Sequence, residues 1–262
     1  MIFEYTVPLA LAAALLDVCV GYPERLRRAI GHPVSWLAAF EAGFAARLAR
    51  FDLEPGMGLL AYLAPVGAAA GLIAYLFSGG PLGFALMALL TSTLVARQPL
   101  DRGLRRVAED FERSDAKLPD FQAAGPLKGL ATAYALRVAA PLFWIALAGF
   151  PGGALYLALY VAGRRAREAA PPREGDWSFA ARWVERPGEW LASVWLAGAA
   201  ALTWRTPHSA LMAPLREGAP GDVLSAALTP GGLDLRRGLA LFRRASAIEI
   251  VVLAVLAVAI QS

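Results

Sequence analysis

Few residues in this chain could do chemistry on a small molecule, and most of those that could lie in or beside apolar runs. Asp17 closes the first such run; Gly21-Tyr22-Pro23 turns the chain, Arg25, Arg27 and Arg28 follow, and Gly31-His32-Pro33-Val34 precede Trp36. A carboxylate at a membrane end, guanidinium groups and one of only two histidines could together gather an anionic substrate at the bilayer surface. Arg137 stands inside a later apolar stretch, where a charge costs roughly 2.5–3.5 kcal/mol and usually faces protein or water. An Asp17–Arg137 pair would meet that need, either as a fixture of helix packing or as part of a site. The Arg137 side chain could instead snorkel along its own span. Arg97, Arg102 and Arg105 accompany a charged stretch, residues 98–117, in which Leu100, Leu104, Val107 and Phe111 recur at helical spacing. It reads as a solvated cytoplasmic helix or as a phosphate holder.

The elements that must position these groups are membrane helices. Of 262 residues 58% are apolar and only 18% charged, with mean hydropathy +0.50, against about 45–50% and about 25% in soluble domains. A helix needs about 20 mostly apolar residues to cross the hydrocarbon. Spans are expected near 3–21, 57–78, 81–97, 130–149, 151–163 and 245–261, with 189–204 interfacial or re-entrant because it is short and carries Trp190, Trp195 and Trp204. The expected fold is all-α, a polytopic bundle of about five to six spans with amphipathic cytoplasmic helices, in one domain over residues 1–262. The first run lacks a basic leader and contains Glu4 and Asp17, so it is expected to be retained rather than cleaved.

Charge gives an orientation. Segments 22–56, 97–128, 164–188 and 205–244 carry five, seven, six and six Lys or Arg, whereas the turns Ser78-Gly79-Gly80-Pro81 and Phe150-Pro151-Gly152-Gly153 carry none. Basic loops are retained in the cytoplasm, which predicts a multi-pass protein of the inner membrane with its functional face cytoplasmic. The basic residues, though they bring the pI to about 9.5, are dispersed and lack stacking motifs, so no nucleic acid is expected. There is no GxxxxGK[ST], no GxSxG and no HExxH. His32 and His208 lie far apart, and the single Cys19 excludes an internal disulfide and any multi-cysteine metal site. No metal ligand set is expected from the sequence.

Asp17-x-x-x-Gly21-x-Pro23 followed by His32-Pro33-Val34-x-Trp36 resembles the N-terminus of the CobD/CbiB family, the membrane adenosylcobinamide-phosphate synthases of cobalamin biosynthesis. The resemblance continues through Thr93-Leu94-Val95-Ala96-Arg97 and the charged helix, returns at Ala140-Pro141-Leu142-Phe143, and extends to Ala181-Arg182 and the segment after it. It implies that an aminoalcohol phosphate is joined to adenosylcobyric acid, with ATP and Mg2+ as cofactors and the corrinoid, the aminoalcohol phosphate and the lipid bilayer as partners. On that reading Asp17, His32 and Glu185 are the catalytic candidates, and Arg97, Arg137 and Arg182 would hold phosphates or corrin carboxylates.

The chain departs from the family where acids are expected. Its acid-, Asn- and Gly-containing motif upstream of Ala-Pro-Leu-Phe is replaced by Thr132-Ala133-Tyr134-Ala135-Leu136-Arg137, and paired acids after Ala-Arg become Val184-Glu185. Those losses predict a poor synthase when the chain acts alone. Ala140-Pro141-Leu142-Phe143-Trp144 with Arg137 upstream also resembles AmpE, which implies the alternative: a non-catalytic membrane accessory, sensor or assembly protein with a protein partner.

Overall fold

The computed structural model describes residues 2–20, 33–48, 55–95, 100–103, 109, 120–168, 176–203, 212, 217–228 and 235–262. Among them every long element is helical and no strand occurs: α1 (Ile2–Cys19), α2 (Pro33–Leu48), α3 (Pro55–Leu76), α4 (Gly80–Ser92), α5 (Asp120–Tyr134), a π-turn (Ala135–Ala139), α6 (Ala140–Glu168), α7 (Asp176–Thr203), α8 (Pro220–Leu228) and α9 (Leu235–Gln261). The protein is an all-α helical membrane protein. Three helical stretches of the described residues are long and apolar enough to cross a bilayer, 56–76, 125–168 and 236–261, and 80–92 is a shorter apolar helix. Internal prolines at 8, 65, 126, 151 and 187 are tolerated in such helices because neighbouring groups can satisfy the carbonyls they free.

The 44-residue stretch 125–168 would be about 66 Å long if straight, roughly twice the hydrocarbon thickness. Two irregularities divide it. The π-turn inserts an extra residue before Ala140. At Ala148–Gly149 the backbone leaves helical geometry, with Gly149 at φ +67 and ψ −157, a conformation natural only to glycine. The bend is sharp. A Cβ on Gly152 would fall against the Trp144 carbonyl, and one on Gly153 against the Ile145 side chain, positions eight residues apart that a straight helix separates by about 12 Å.

The chain forms two compact units. The first comprises residues 1–95, 141–185 and 259–262, the second residues 96–140 and 186–258. In the first, α1 packs on α4 through an edge-to-face contact of Tyr5 and Phe84, with ring centroids 5.6 Å apart. The Thr6 hydroxyl donates to the Ala146 carbonyl at 2.7 Å, just before the α6 bend. Helices α3 and α6 run antiparallel, since Gly67 meets Leu155 while the earlier Tyr62 meets the later Ala158. Helix α7 crosses α6 at Gly163, which has Ala181 directly over it and the Trp177 carbonyl beside it. In the second unit, the α5 side chain Leu127 covers Gly238 of α9, Gly198 of α7 faces Ile248 of α9, and Gly188 lies against Ala140. Small residues at these crossings let backbones approach closely, the packing favoured where lipid offers no hydrophobic drive.

Helix α7 begins at Asp176, inside the polar segment 164–188, so the residues ahead of 189–204 belong to one continuous helix with it. Val184, Glu185 and Gly188 face inward with Ala181, an i, i+3/i+4 stripe that residue-by-residue hydropathy conceals behind Arg182 and Arg186.

Candidate functional site

The apolar run of α6 ends in Arg164-Arg165-Ala166-Arg167-Glu168, cations at a helix C-terminus where the backbone dipole favours positive charge. Each arginine is matched to an acid. Arg165 Nη1 donates to Glu41 Oε2 of α2 at 2.5 Å, and Arg164 Nε to Glu168 Oε1 at 2.7 Å one turn on. Arg167 makes a two-pronged contact with Glu185 of α7, Nη2 to Oε1 at 2.9 Å and Nη1 to Oε2 at 3.3 Å. The two long-range pairs are polarised. The carboxylate side chains of Glu41 and Glu185 are 10% and 6% exposed, their arginines 42% and 38%.

Below this cluster lies a column of rings. Tyr62 is fully buried and stacked between Phe40 and Trp177, centroids 5.7 and 5.6 Å away with interplanar angles of 25° in both cases. Its hydroxyl donates to the Ala158 carbonyl at 3.5 Å, the outer limit of a hydrogen bond. Ala158 and Ala162 give the ring its room on α6. The same aromatic column therefore ties α2, α3 and α7 together at the end of α6 where Glu41 and Glu185 are held.

The second unit has its own buried acid. Glu249, 4% exposed and midway along α9, accepts from the Tyr134 hydroxyl at 3.0 Å. The Tyr134 ring meets Phe242 edge-on at 5.3 Å, two turns before Glu249 on the same helix face. Near the start of α9's apolar run, Arg243 makes a two-pronged contact with Asp101, at 2.8 and 3.3 Å.

Of the residues singled out from the sequence, Asp17 is buried in α1 at 3% exposure and Glu185 in α7 at 5%. Arg182 is exposed one turn before Glu185, and Arg137 is exposed on the π-turn. Asp17 and Arg137 belong to different units. His32 and Arg97 lie outside the described residues, as do Arg25, Arg27, Arg28 and Arg105. The partner that Glu185 acquires, Arg167, was read from the sequence only as part of a charge count for orientation. Glu41, Arg165, Tyr62 and Glu249 were not singled out at all. Glu41 and Glu249 each carried a signal, an acid in an otherwise apolar helical stretch, the first between Phe40 and Phe44 and the second inside the run 245–261.

A bound magnesium ion needs several oxygen ligands near one point. Among the described residues no three His, Cys, Asp or Glu side chains gather in that way, and Glu41 and Glu185 are each held by a guanidinium. The described residues do not fit a magnesium site.

No protein-family model matches the chain, and no solved structure matches it. Among curated proteins, a cobalamin biosynthesis protein CobD of a Sinorhizobium species is 34% identical over 183 residues, 60% of this chain and 57% of that protein. A protein of the same name from Rhodobacter capsulatus is 29% identical over 173 residues, 55% of this chain and 52% of its own length. Over these stretches the chain is similar, at a divergent level, to proteins named CobD. It spans about half the length of the curated CobD proteins it matches. The relationship agrees with the motif likeness at Asp17–Trp36, and the apolar helices fit a lipid bilayer as a partner.

Proposed function

We propose that this chain works in cobalamin biosynthesis at the cytoplasmic membrane, as a divergent CobD-type protein that joins an aminoalcohol phosphate to adenosylcobyric acid. The observation that carries the reading is the 34% identity to a protein named for that pathway. Making an amide from a carboxylate requires a better leaving group than oxide, and ATP, when bound, supplies a phosphoryl group for that purpose. The exposed guanidiniums of Arg182 and Arg137, together with Arg97 of the motif likeness, would bind phosphate or corrin carboxylate oxygens through charge-assisted hydrogen bonds. Asp17, His32 and Glu185 are the candidates to hold or move a proton at the attacking amine. The basic loops face the cytoplasm, where the soluble substrates are.

A second reading is favoured by a specific observation. Glu41 and Glu185 are both committed to arginines rather than gathered about a common point, which suits an AmpE-like accessory or assembly protein without catalysis of its own. Complementation separates the two. A bacterium lacking its synthase, expressing this chain in its membrane, is expected to grow on cobyric acid, with cobinamide as the positive control. Growth on cobinamide alone, with membrane expression verified, overturns the synthase reading in favour of the accessory one.

A further inference from the structure

The two long-range ion pairs at the end of α6 point their charges in opposite directions, whereas Arg164 and Glu168 are both exposed. Glu41 and Glu185 turn inward, while Arg165 and Arg167 keep about two-fifths of their side chains exposed. The numbers of acids and bases balance, but the outer surface does not. It presents guanidinium groups, to which exposed Arg182 of α7 and Arg47 in the last turn of α2 add.

Large aromatic side chains stand on the same two helices. On α7, Trp177 and Ala181 face inward, and the opposite face carries Phe179, 58% exposed, and Trp183, 57% exposed, in contact edge-on at 6.2 Å. Arg182 lies between them in sequence and on the exposed side. On α2, Trp36 is 49% exposed and Phe40, one turn on, 41% exposed; Phe40 continues through Tyr62 to Trp177 as one stack. The two exposed patches are thus joined by a buried column where the apolar run of α6 gives way to charge. A helix with aromatic rings and arginines on its open face, placed at the end of membrane spans, has the composition of an interfacial helix.

We propose that the open faces of α7 at Phe179, Arg182 and Trp183 and of α2 at Trp36 and Phe40 form a docking surface for anionic phospholipid headgroups. The rings sit at the headgroup boundary and the guanidiniums bind phosphodiester oxygens. Charge complementarity selects this occupant: in the two long-range pairs the buried carboxylates take the negative half from the surface, and with Arg182 and Arg47 the exposed guanidiniums outnumber the one exposed carboxylate of the cluster, Glu168, leaving a positive face toward an anionic leaflet. The reading shares Arg182 with the substrate role proposed above, but its readouts are lipid contacts rather than activity, so either can fail without the other.

Two measurements on the full-length protein test it. In nanodiscs of phosphatidylcholine brominated near the headgroup or deep in the chain, the Trp183 contribution, obtained by difference from Trp183→Phe, is expected to be quenched more by the shallow label. In native mass spectra after extraction from equal phosphatidylglycerol and phosphatidylcholine, phosphatidylglycerol is expected to be enriched. Arg182→Gln should reduce that enrichment by about fivefold, and Arg182→Lys should retain it, which separates charge from folding. Trp183 fluorescence insensitive to both labels, or enrichment unchanged in Arg182→Gln, overturns the proposal, the former handing the face to a protein partner.

Discussion

Removing either partner of the Arg167–Glu185 pair should not have the same effect. Replacing Arg167 by Met leaves the Glu185 carboxylate with its side chain 6% exposed and both of its hydrogen bonds to Arg167 gone. Breaking a buried pair in this sense costs about 3–5 kcal/mol, and the partial exposure of the arginine end lowers the expected figure to about 2–3 kcal/mol. Replacing Glu185 by Gln instead releases an arginine that is already 38% exposed and can turn to water, so about 1 kcal/mol is expected. The double substitution removes the orphaned charge and should be more stable than Arg167→Met alone. Thermal unfolding of the detergent-solubilised protein, followed by tryptophan emission, measures all three. Equal losses for the two single variants, or a double variant no better than Arg167→Met, would refute the polarised-pair argument. The same set assigns Glu185 its role. If it moves a proton in the synthase reaction, Glu185→Gln abolishes complementation at nearly unchanged stability; if it only anchors α7, complementation follows the unfolding temperature.

Two further outcomes rest on packing. A methyl on Gly163 would overlap that of Ala181, so Gly163→Ala should cost about 1–3 kcal/mol, and adding Ala181→Gly should restore most of it, read by the same unfolding assay. Tyr134→Phe removes a buried hydrogen bond to Glu249, a loss of about 1.5–3 kcal/mol for a bond to a charged group, whereas Tyr134→Phe with Glu249→Leu should recover part of it. A double variant as unstable as the sum of its singles would show that the two side chains do not act as a pair.

What was legible in the sequence is what repeats locally. Continuous apolar runs declared membrane helices because a bilayer demands length and apolarity and little else, and helices from 55 to 76 and from 235 to 261 lie over such runs. The cluster Phe150-Pro151-Gly152-Gly153 marked a break, although the bend itself falls just ahead of it, on Ala148 and Gly149. The Asp17–Trp36 motif pointed to a family, and the CobD relatives agree with it. Pairings between distant elements were not legible. Arg165 and Glu41 are 124 positions apart, and neither has a local signal specifying the other. The π-turn at Ala135–Ala139 was not legible, since the one unusual residue there, Arg137, marks a charge in an apolar stretch and not an extra residue in the helix. The inward stripe of α7 was hidden because arginines on its open face lower its hydropathy without altering its periodicity.

The loss of acids at the family's motif positions and the presence of buried acids elsewhere belong to one physical account. A carboxylate at membrane depth must be neutralised by a cation, by hydrogen bonds or by a proton. In this chain Glu41 and Glu185 are neutralised by arginines at the mouth of the bundle, and Glu249 is hydrogen-bonded by a tyrosine. Such groups fix helix packing and cannot also offer unencumbered oxygens to a cation without first breaking those bonds. A CobD-type reaction here therefore has to draw its metal-binding acids from somewhere other than Glu41 and Glu185 in their paired state.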